Sequence, residues 1–306
     1  MLDQIGKNLL KMIAGMDDLP NGAFNIRANG ESAGRSSSKN INIVSKTDKP
    51  GIDIFINAGT KGESVHIPVV LSKRGLTDTV YNDFYIGADS EVDIVAGCGI
   101  NNCGCDDSQH DGVHRFFVGK NAKVKYYEKH YGEGEGRGKR LMNPQTEVYL
   151  EEGAEMEMET TQISGIDDTL RKTTAKQAAN SSLVIHEKVM TTGVQNAVSE
   201  FSADLDGDGC SCNIISRTVA KDKSTQHFVS VINGNAACAG HTECDSIIMD
   251  QARVLASPQL LAACVDASLI HEAAIGKIAG DQLIKLMTLG LTEQEAEEKI
   301  VNGFLA

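Results

Sequence analysis

Two periods alternate along this chain. Near the amino end Leu2, Ile5, Leu9, Ile13 and Met16 recur at helical spacing, and Pro20-Asn21-Gly22 ends the pattern. Residues 1–20 are therefore expected to form one amphipathic helix, packed on the body or on a partner. From about 21 to 265 the period drops to two. Short alternating runs (IDIFIN, EVDIV, KVKYY, EVYLE, EMEME, LVIHE and HFVSVI) are separated by Gly, Asn and Asp, the pattern of half-buried strands joined by turns. From about 266 to 306 helical spacing returns. Leu283, Leu286, Met287 and Leu289 cluster before Gly290, a good helix stop. Thr292-Glu293-Gln294-Glu295 reads as a capping box, and Ala296, Ile300, Val301 and Phe304 form the stripe after it.

A repeat lies within the β region. Hydrophobic-x-hydrophobic pairs recur at Val92/Ile94, Val124/Tyr126 and Met156/Met158, 32 residues apart, preceded by Gly87, Gly119 and Gly153. Regular spacing with glycine turns predicts a solenoid whose coils bury their apolar sides against one another. An aromatic content of 5% with no Trp suits narrow stacked coils built from small and β-branched residues. An ordinary β-sandwich is the alternative on this pattern alone.

Composition narrows the function. The 306 residues suffice for one long domain or two ordinary ones. No apolar run approaches the roughly 20 residues that span a bilayer, and Asp3, Lys7 and Lys11 interrupt any leader-like stretch, so a cytoplasmic protein is expected. A net charge of −13 disfavours nucleic acid and anionic membrane surfaces as partners. There are eight Cys, at 98, 103, 105, 210, 212, 238, 244 and 264. In a reducing compartment, clustered thiols point to metal or sulfur chemistry rather than disulfides. Cys264, inside LLAACV, reads as a small buried hydrophobe.

Some motifs fail. Asp204-Leu205-Asp206-Gly207-Asp208-Gly209 starts like an EF-hand loop, but Ile215 stands where a bidentate Glu is required, so a tight turn is expected. The glycine-rich run 132–140 matches neither a Walker A loop nor a dinucleotide fingerprint. If ATP is used, another chain binds it. Two thiol groups hold more promise. Cys98, Cys103 and Cys105 lie within eight residues in GCGINNCGC, followed by His110 and His114, and Gly97, Gly99 and Gly104 allow the backbone to wrap closely. They are candidate iron–sulfur ligands; zinc or redox-sensitive loop thiols are the alternatives. Cys244, with His271 and Glu272, offers a thiolate, an imidazole and a carboxylate, ligand types that suit iron or a nascent cluster. In a strand His271 and Glu272 point to opposite faces, so sharing a site requires a turn, expected at a strand-to-helix junction there. Cys210, Cys212, Cys238 and His241 are weaker candidates.

The segments Ser216-Arg217-Thr218-Val219-Ala220, Cys244-Asp245-Ser246, His271-Glu272-Ala273-Ala274 and the Gly303-Phe304 ending resemble SufB/SufD proteins, the scaffold subunits of iron–sulfur cluster assembly. The resemblance is strongest from about 180 to 306, and the short helix stands where larger members have a substantial amino-terminal region. It implies a mainly β fold, a right-handed parallel β-helix with a short N-terminal helix and a C-terminal helical subdomain. It implies cluster assembly at Cys244, His271 and Glu272, an iron–sulfur cluster as the bound group, and no enzymatic site of its own. It also implies a SufC-like ABC ATPase docked on the C-terminal helices, a homodimer formed through the β-helix, and apoproteins that accept the cluster. No position matches the Cys that larger SufB proteins are thought to use for accepting sulfur. The rival reading is a β-helix polysaccharide lyase or hydrolase, or a purely structural solenoid; the acidic charge and clustered Cys weigh against the former.

Overall fold

The computed structural model describes residues 3–16, 19–20 and 22–306; Met1, Leu2, Asp17 and Asp18 of the expected first element, and Asn21 of its expected stop, lie outside these. Helix α1 spans Gln4–Ala14. Asp3 caps it by accepting from the Gly6 N–H at 2.7 Å, and Gly15 stops it in the left-handed region, earlier than the expected Pro20 stop. The strands that follow are β1 (Ala23–Ala28), β2 (Glu31–Ser36), β3 (Ile41–Ser45), β4 (Gly51–Ile56) and β5 (Lys61–Leu71). Next come β6 (Thr77–Ile86), β7 (Glu91–Asn101), β8 (Ser108–Val118), β9 (Lys123–Glu133), β10 (Arg140–Met142) and β11 (Gln145–Leu150). Then follow β12 (Glu155–Ser164), β13 (Asp168–Gln177), β14 (Ser182–Thr191), β15 (Asn196–Leu205) and β16 (Ser211–Ala220). The last strands are β17 (Thr225–Gly234), β18 (Ala239–Ile248), β19 (Arg253–Ala262) and β20 (Ser268–Gly276), before α2 (Gly280–Thr288) and α3 (Glu293–Phe304).

Successive strands alternate between two walls. One sheet runs β2-β1-β5-β7-β9-β12-β14-β16-β18-β20; the other runs β19-β17-β15-β13-β10-β8-β6-β4-β3, with β11 beside β13 and β8. Pairing from β4 and β5 onward is parallel, and only the β1–β2 and β3–β4 pairs are antiparallel. This is the expected mainly β fold, a parallel β-solenoid. The sequence repeat is its coil: Val124 lies beside Val92 and Met156, and Tyr126 beside Ile94 and Met158, in register on β7, β9 and β12. Gly119 is required at its turn, because a Cβ there would lie 2.7 Å from the Ile86 carbonyl oxygen. Stacked residues are 32 apart from Lys123 to Glu155, but 29 apart from Ser182 to Ser211 and 28 from Thr218 to Ser246. The shortened coil is why the repeat fades after Met158.

The apolar interior side chains form one column, from Ile54, Phe84 and Phe116 to Ile185, Phe201 and Ile232. On the outer face of the second sheet, Phe55, Tyr85, Phe117 and Tyr149 stack one per coil at 5.0–5.2 Å. Helix α1 lies outside the first sheet, with Leu9, Leu10 and Ile13 packed on Phe24, Ile26 and Val70. Gly97 and Gly99 admit it: a Cβ on either would come within 3.1 Å of Ile13 or Leu9. Their freedom serves helix docking rather than wrapping a metal.

At the carboxyl end the strand pattern runs to Gly276, past the expected boundary at 265. By composition HEAAIG favours a helix, yet hydrogen bonding to β18 holds it extended, the usual tertiary override of propensity. Thr292 and Glu295 form the expected capping box. Helix α3 does not close the solenoid end; Val301, Phe304 and Leu305 pack against Met190, Val219, Ile247 and Met249 on the side wall. Among the described residues no helix is long and apolar enough to cross a membrane.

Within the coils Arg171 is buried between two carboxylates, with Nη1 2.5 Å from Glu128 Oε2 and Nε 3.8 Å from Glu187 Oε1. Removing one member of such a set leaves an uncompensated buried charge. Arg171→Met is accordingly expected to lower stability by about 3–5 kcal/mol, read as a shift in the urea unfolding midpoint. A change below about 0.5 kcal/mol would show that the charges carry no structural weight.

Candidate functional site

Strands β18 and β20 hold most of the expected site. Thr242 pairs with His271, Glu243 with Glu272 and Cys244 with Ala273. Side chains alternate along a strand, so Thr242, Cys244, Ser246 and His271 face the interior, while His241, Glu243, Asp245 and Glu272 face outward. The expected turn at His271–Glu272 is absent, because both residues lie inside a continuous strand. Cys244 and His271 share a wall; Glu272 stands on the other face.

Cys244 is fully buried, with Sγ 3.8 Å from Ser246 Oγ. Burial pushes its thiol up to about 11, aided by the nearby Glu187 charge. It lines a cavity of about 10 Å³ with Glu187, Ser199, Ser216, Thr218 and Phe228, room for roughly one water. Glu187 accepts from Ser199 Oγ at 2.6 Å and Ser216 Oγ at 2.7 Å. His271 lies in the last coil, half-buried, with Nδ1 2.6 Å from Thr242 Oγ1.

That last coil is unusual. Strands β19 and β20 each end a sheet, so each leaves an unpaired backbone edge. Leu255, Leu260, Leu261, Ile270 and Ile275 are exposed there, an apolar patch of the kind that marks interaction surfaces. Helix α2 has no buried residue and exposes Ile284 and Met287, and its C-cap Leu289 is exposed too.

On the outer face His241 Nε2 lies 3.8 Å from Glu272 Oε2, and its Nδ1 lies 2.8 Å from Asn213 Oδ1. Glu243 joins them, with one ligand atom of each residue within 4.8 Å of the others. Burial and the neighbouring Asp245 carboxylate raise the Glu243 carboxyl. Glu243 was missed in the sequence, although the spacing His241-x-Glu243 places both on one face of a strand.

The GCGINNCGC thiols are not brought together. Cys98 faces the interior among Val69, Leu71, Ile100 and Met142, whereas Cys103 and Cys105 are exposed in the following loop. The Asn102 side chain holds that loop, donating to the Asp106 and Lys139 carbonyls at 2.9 and 3.1 Å and accepting from Gly104 N–H at 3.0 Å. The glycine-rich run 132–140 packs against it: a Cβ on Gly138 would meet the Asn102 side chain. Cys210, Cys212 and Cys238 are buried in the core, and burial raises all three thiols, Cys212 to about 12. Cys264 is half-buried in the turn after β19 rather than in the core.

A second cavity of about 10 Å³ is lined by Cys98, His110, His114, Glu128 and His130. His114 Nδ1 is 2.8 Å from the Tyr126 hydroxyl, which donates to Glu128 at 2.9 Å. Burial lowers His114 to about 4 and also lowers His130. Burial alone would raise Glu128, but the Arg171 charge, with a hydrogen bond from His130, holds it well below the usual carboxylate range. Arg171 then joins this group to Glu187 and so to the Cys244 cavity. The sequence carried a signal for these residues: Glu128 and His130 continue the parity of Val124 and Tyr126, which marks them as interior.

A family model described as "SUF system FeS cluster assembly, SufBD core domain" matches residues 77–304. An iron–sulfur cluster assembly SufBD family protein of Methanothermobacter thermautotrophicus is 27% identical over 77% of this chain and 57% of its own length. Another, from Methanocaldococcus jannaschii, is 28% identical over 82% of this chain and 79% of its own. A third, from Pyrococcus horikoshii, is 30% identical over 77% and 71%. The chain spans little more than half the length of the two Methanothermobacter relatives, 57% and 55%.

Thiol reactivity follows the burial pattern. At pH 8 a thiol with pKa near 11 is thiolate in about one molecule per thousand, so Cys244 is expected to resist iodoacetamide while Cys103 and Cys105 label quickly, read by peptide mass spectrometry. Labelling of Cys244 at the rate of Cys103 would contradict its placement. The lowered His114 gives a pH dependence. Below its ordinary 6.5 the unfolded chain takes a proton that the folded chain refuses until about 4. Stability present above pH 6.5 is thus lost as the pH falls toward 4, by up to about 3 kcal/mol. His114→Gln is expected to flatten the fall in urea midpoint across that window; an unchanged slope would assign it elsewhere.

Proposed function

Because the chain belongs to the SufBD core family of iron–sulfur cluster assembly proteins, we propose that it is a cytoplasmic scaffold subunit of a SUF-type complex, on which a nascent cluster is built and held as cargo. The observation that carries this reading is the open apolar end of the solenoid, where Cys244 and His271 face the same interior wall. Two copies meeting end to end would cover Leu260, Ile270 and Ile275, satisfy the free strand edges and bring two Cys244/His271 sets together. Such a contact is self-complementary and closes as a homodimer.

The thiol and imidazole then act as soft and borderline ligands to iron. Cys244 is protonated and enclosed in the closed coil, so ligation requires the last coil to part from its neighbour and the thiol to lose its proton. Glu272 joins the same cluster only if the edge strand β20 rotates; as the strand lies, its carboxylate serves the outer face. Cys98, inside the second cavity, and the exposed Cys103 and Cys105 would act as a secondary ligand set only after the loop that follows β7 refolds, since the fold holds them apart. The interior line Glu128–Arg171–Glu187 connects Cys98 to Cys244 through polar groups.

Energy for opening would come from a SufC-like ABC ATPase bound through the helical hairpin α2–α3. The exposed Ile284, Met287 and Leu289 of α2 support that docking face, while α3 anchors the hairpin to the wall. Apoproteins would receive the finished cluster.

Anaerobic reconstitution with iron and sulfide tests the site. Wild type is expected to develop a visible cluster band, and Cys244→Ser to lose it while keeping its far-UV spectrum, since Ser is near-isosteric but a poor ligand for a soft cluster. An undiminished band in the variant would sink the assignment. Deleting the hairpin is a poor docking test, because it would bare Val219 and Ile247. Ile284→Glu and Leu289→Glu should instead leave the melting temperature nearly unchanged and abolish co-purification with the ATPase; retained co-purification would place the interface elsewhere.

A further inference from the structure

We propose a mononuclear divalent-cation site on the outer face of the last coil, formed by His241, Glu243 and Glu272 and separate from the interior Cys244 and His271. The three side chains come from adjacent strands. His241 and Glu243 are two apart on β18, and Glu272 of β20 is the registered neighbour of Glu243. Carboxylates in direct register on adjacent strands repel. Among the described residues, neither forms an ion pair with a Lys or Arg within 4.0 Å; His241 lies 3.8 Å from Glu272, while Arg217 acts on Glu243 from farther away and Asp245 hydrogen-bonds to it.

The histidine is oriented for metal binding. Asn213 Oδ1, 2.8 Å away, accepts from the Nδ1–H of His241. That bond orients the ring so that Nε2 is the nitrogen turned toward the Glu272 carboxylate. A ligating imidazole is usually held this way, through its second nitrogen. The ligand atoms already lie within 4.8 Å of one another. Around an ion at about 2.1 Å they would stand roughly 3–3.5 Å apart, so closure needs only a rotamer change of the exposed Glu272. One imidazole and two carboxylates, with further positions open to water, suit Mn(II), Fe(II), Co(II) or Zn(II) rather than a soft thiophilic ion.

A cation there would do structural work. It would tie β20, an edge strand, to β18 across the face opposite Cys244, fixing the coil that must part from its neighbour in the scaffold reading. The ion site itself does not depend on that reading, since it needs only the purified chain.

Mn(II) is the probe, because it stays divalent in air and its free form is counted by electron paramagnetic resonance. Wild type is expected to bind one ion per chain and to melt at a higher temperature with Mn(II) present. Glu243→Gln and Glu272→Gln, both near-isosteric, should each weaken binding by more than about tenfold and remove the thermal gain. Asn213→Leu should weaken it about tenfold through the histidine alone. Cys244→Ser should bind Mn(II) like wild type even where it forms no cluster, which separates the two sites. Equal affinity in wild type and Glu243→Gln, or a loss confined to Cys244→Ser, would overturn the proposal.

Discussion

The interior of this solenoid depends on Arg171. A narrow β-coil leaves its inward positions little room for water, so a charge placed there must be answered by another. Arg171 projects from β13 in one wall to Glu128 on β9 and Glu187 on β14 in the other. It therefore spans the interior and bridges successive coils at once. A slip of one residue in any of these strands would turn its charge to the outside. The ionic trio thus fixes register as well as neutrality. The two cavities lie on either side of it, one with Cys98 and three histidines, the other with Cys244.

Much of this was legible in the sequence. The period-two runs and the 32-residue spacing gave the strands and the coil, because stacked side chains in a solenoid must repeat in register. The capping box at Thr292 was readable for a similar reason: its hydrogen bonds are local. The site was legible only in part. Cys244 and His271 were named, but their relation to Glu272 rested on a turn that tertiary pairing removes. The spacing in GCGINNCGC suggested one centre, whereas parity turns Cys98 inward and the loop carries Cys103 and Cys105 out. The polar interior was overlooked because Glu128 and His130 lie just past the KVKYY run, and their inward parity emerges only when it is counted on from Tyr126.

The two ends of the solenoid obey different rules. At the amino end the antiparallel strands β2 and β3 finish the sheets, and β2 is short, polar and charged, a blunted edge. At the carboxyl end β19 and β20 remain parallel and expose Leu255, Leu260, Leu261, Ile270 and Ile275. An edge of that kind invites pairing. Because the opposite end is blunted, head-to-tail growth into a filament is disfavoured, and the proposed pairing of two apolar ends would be a closed two-fold contact.

The stack of Phe55, Tyr85, Phe117 and Tyr149 has an optical consequence. The chain has no Trp, and its six Tyr all lie between positions 81 and 149. Near-ultraviolet absorbance and circular dichroism therefore observe the amino-terminal coils, with rings held face to face at about 5 Å, and are nearly blind to coils from β15 onward. Far-ultraviolet signals weigh every coil alike. In a one-dimensional array whose ends can loosen independently, a gap between the two signals measures where along the axis unfolding begins. The carboxyl-terminal coils that carry Cys244 would melt in near-ultraviolet silence.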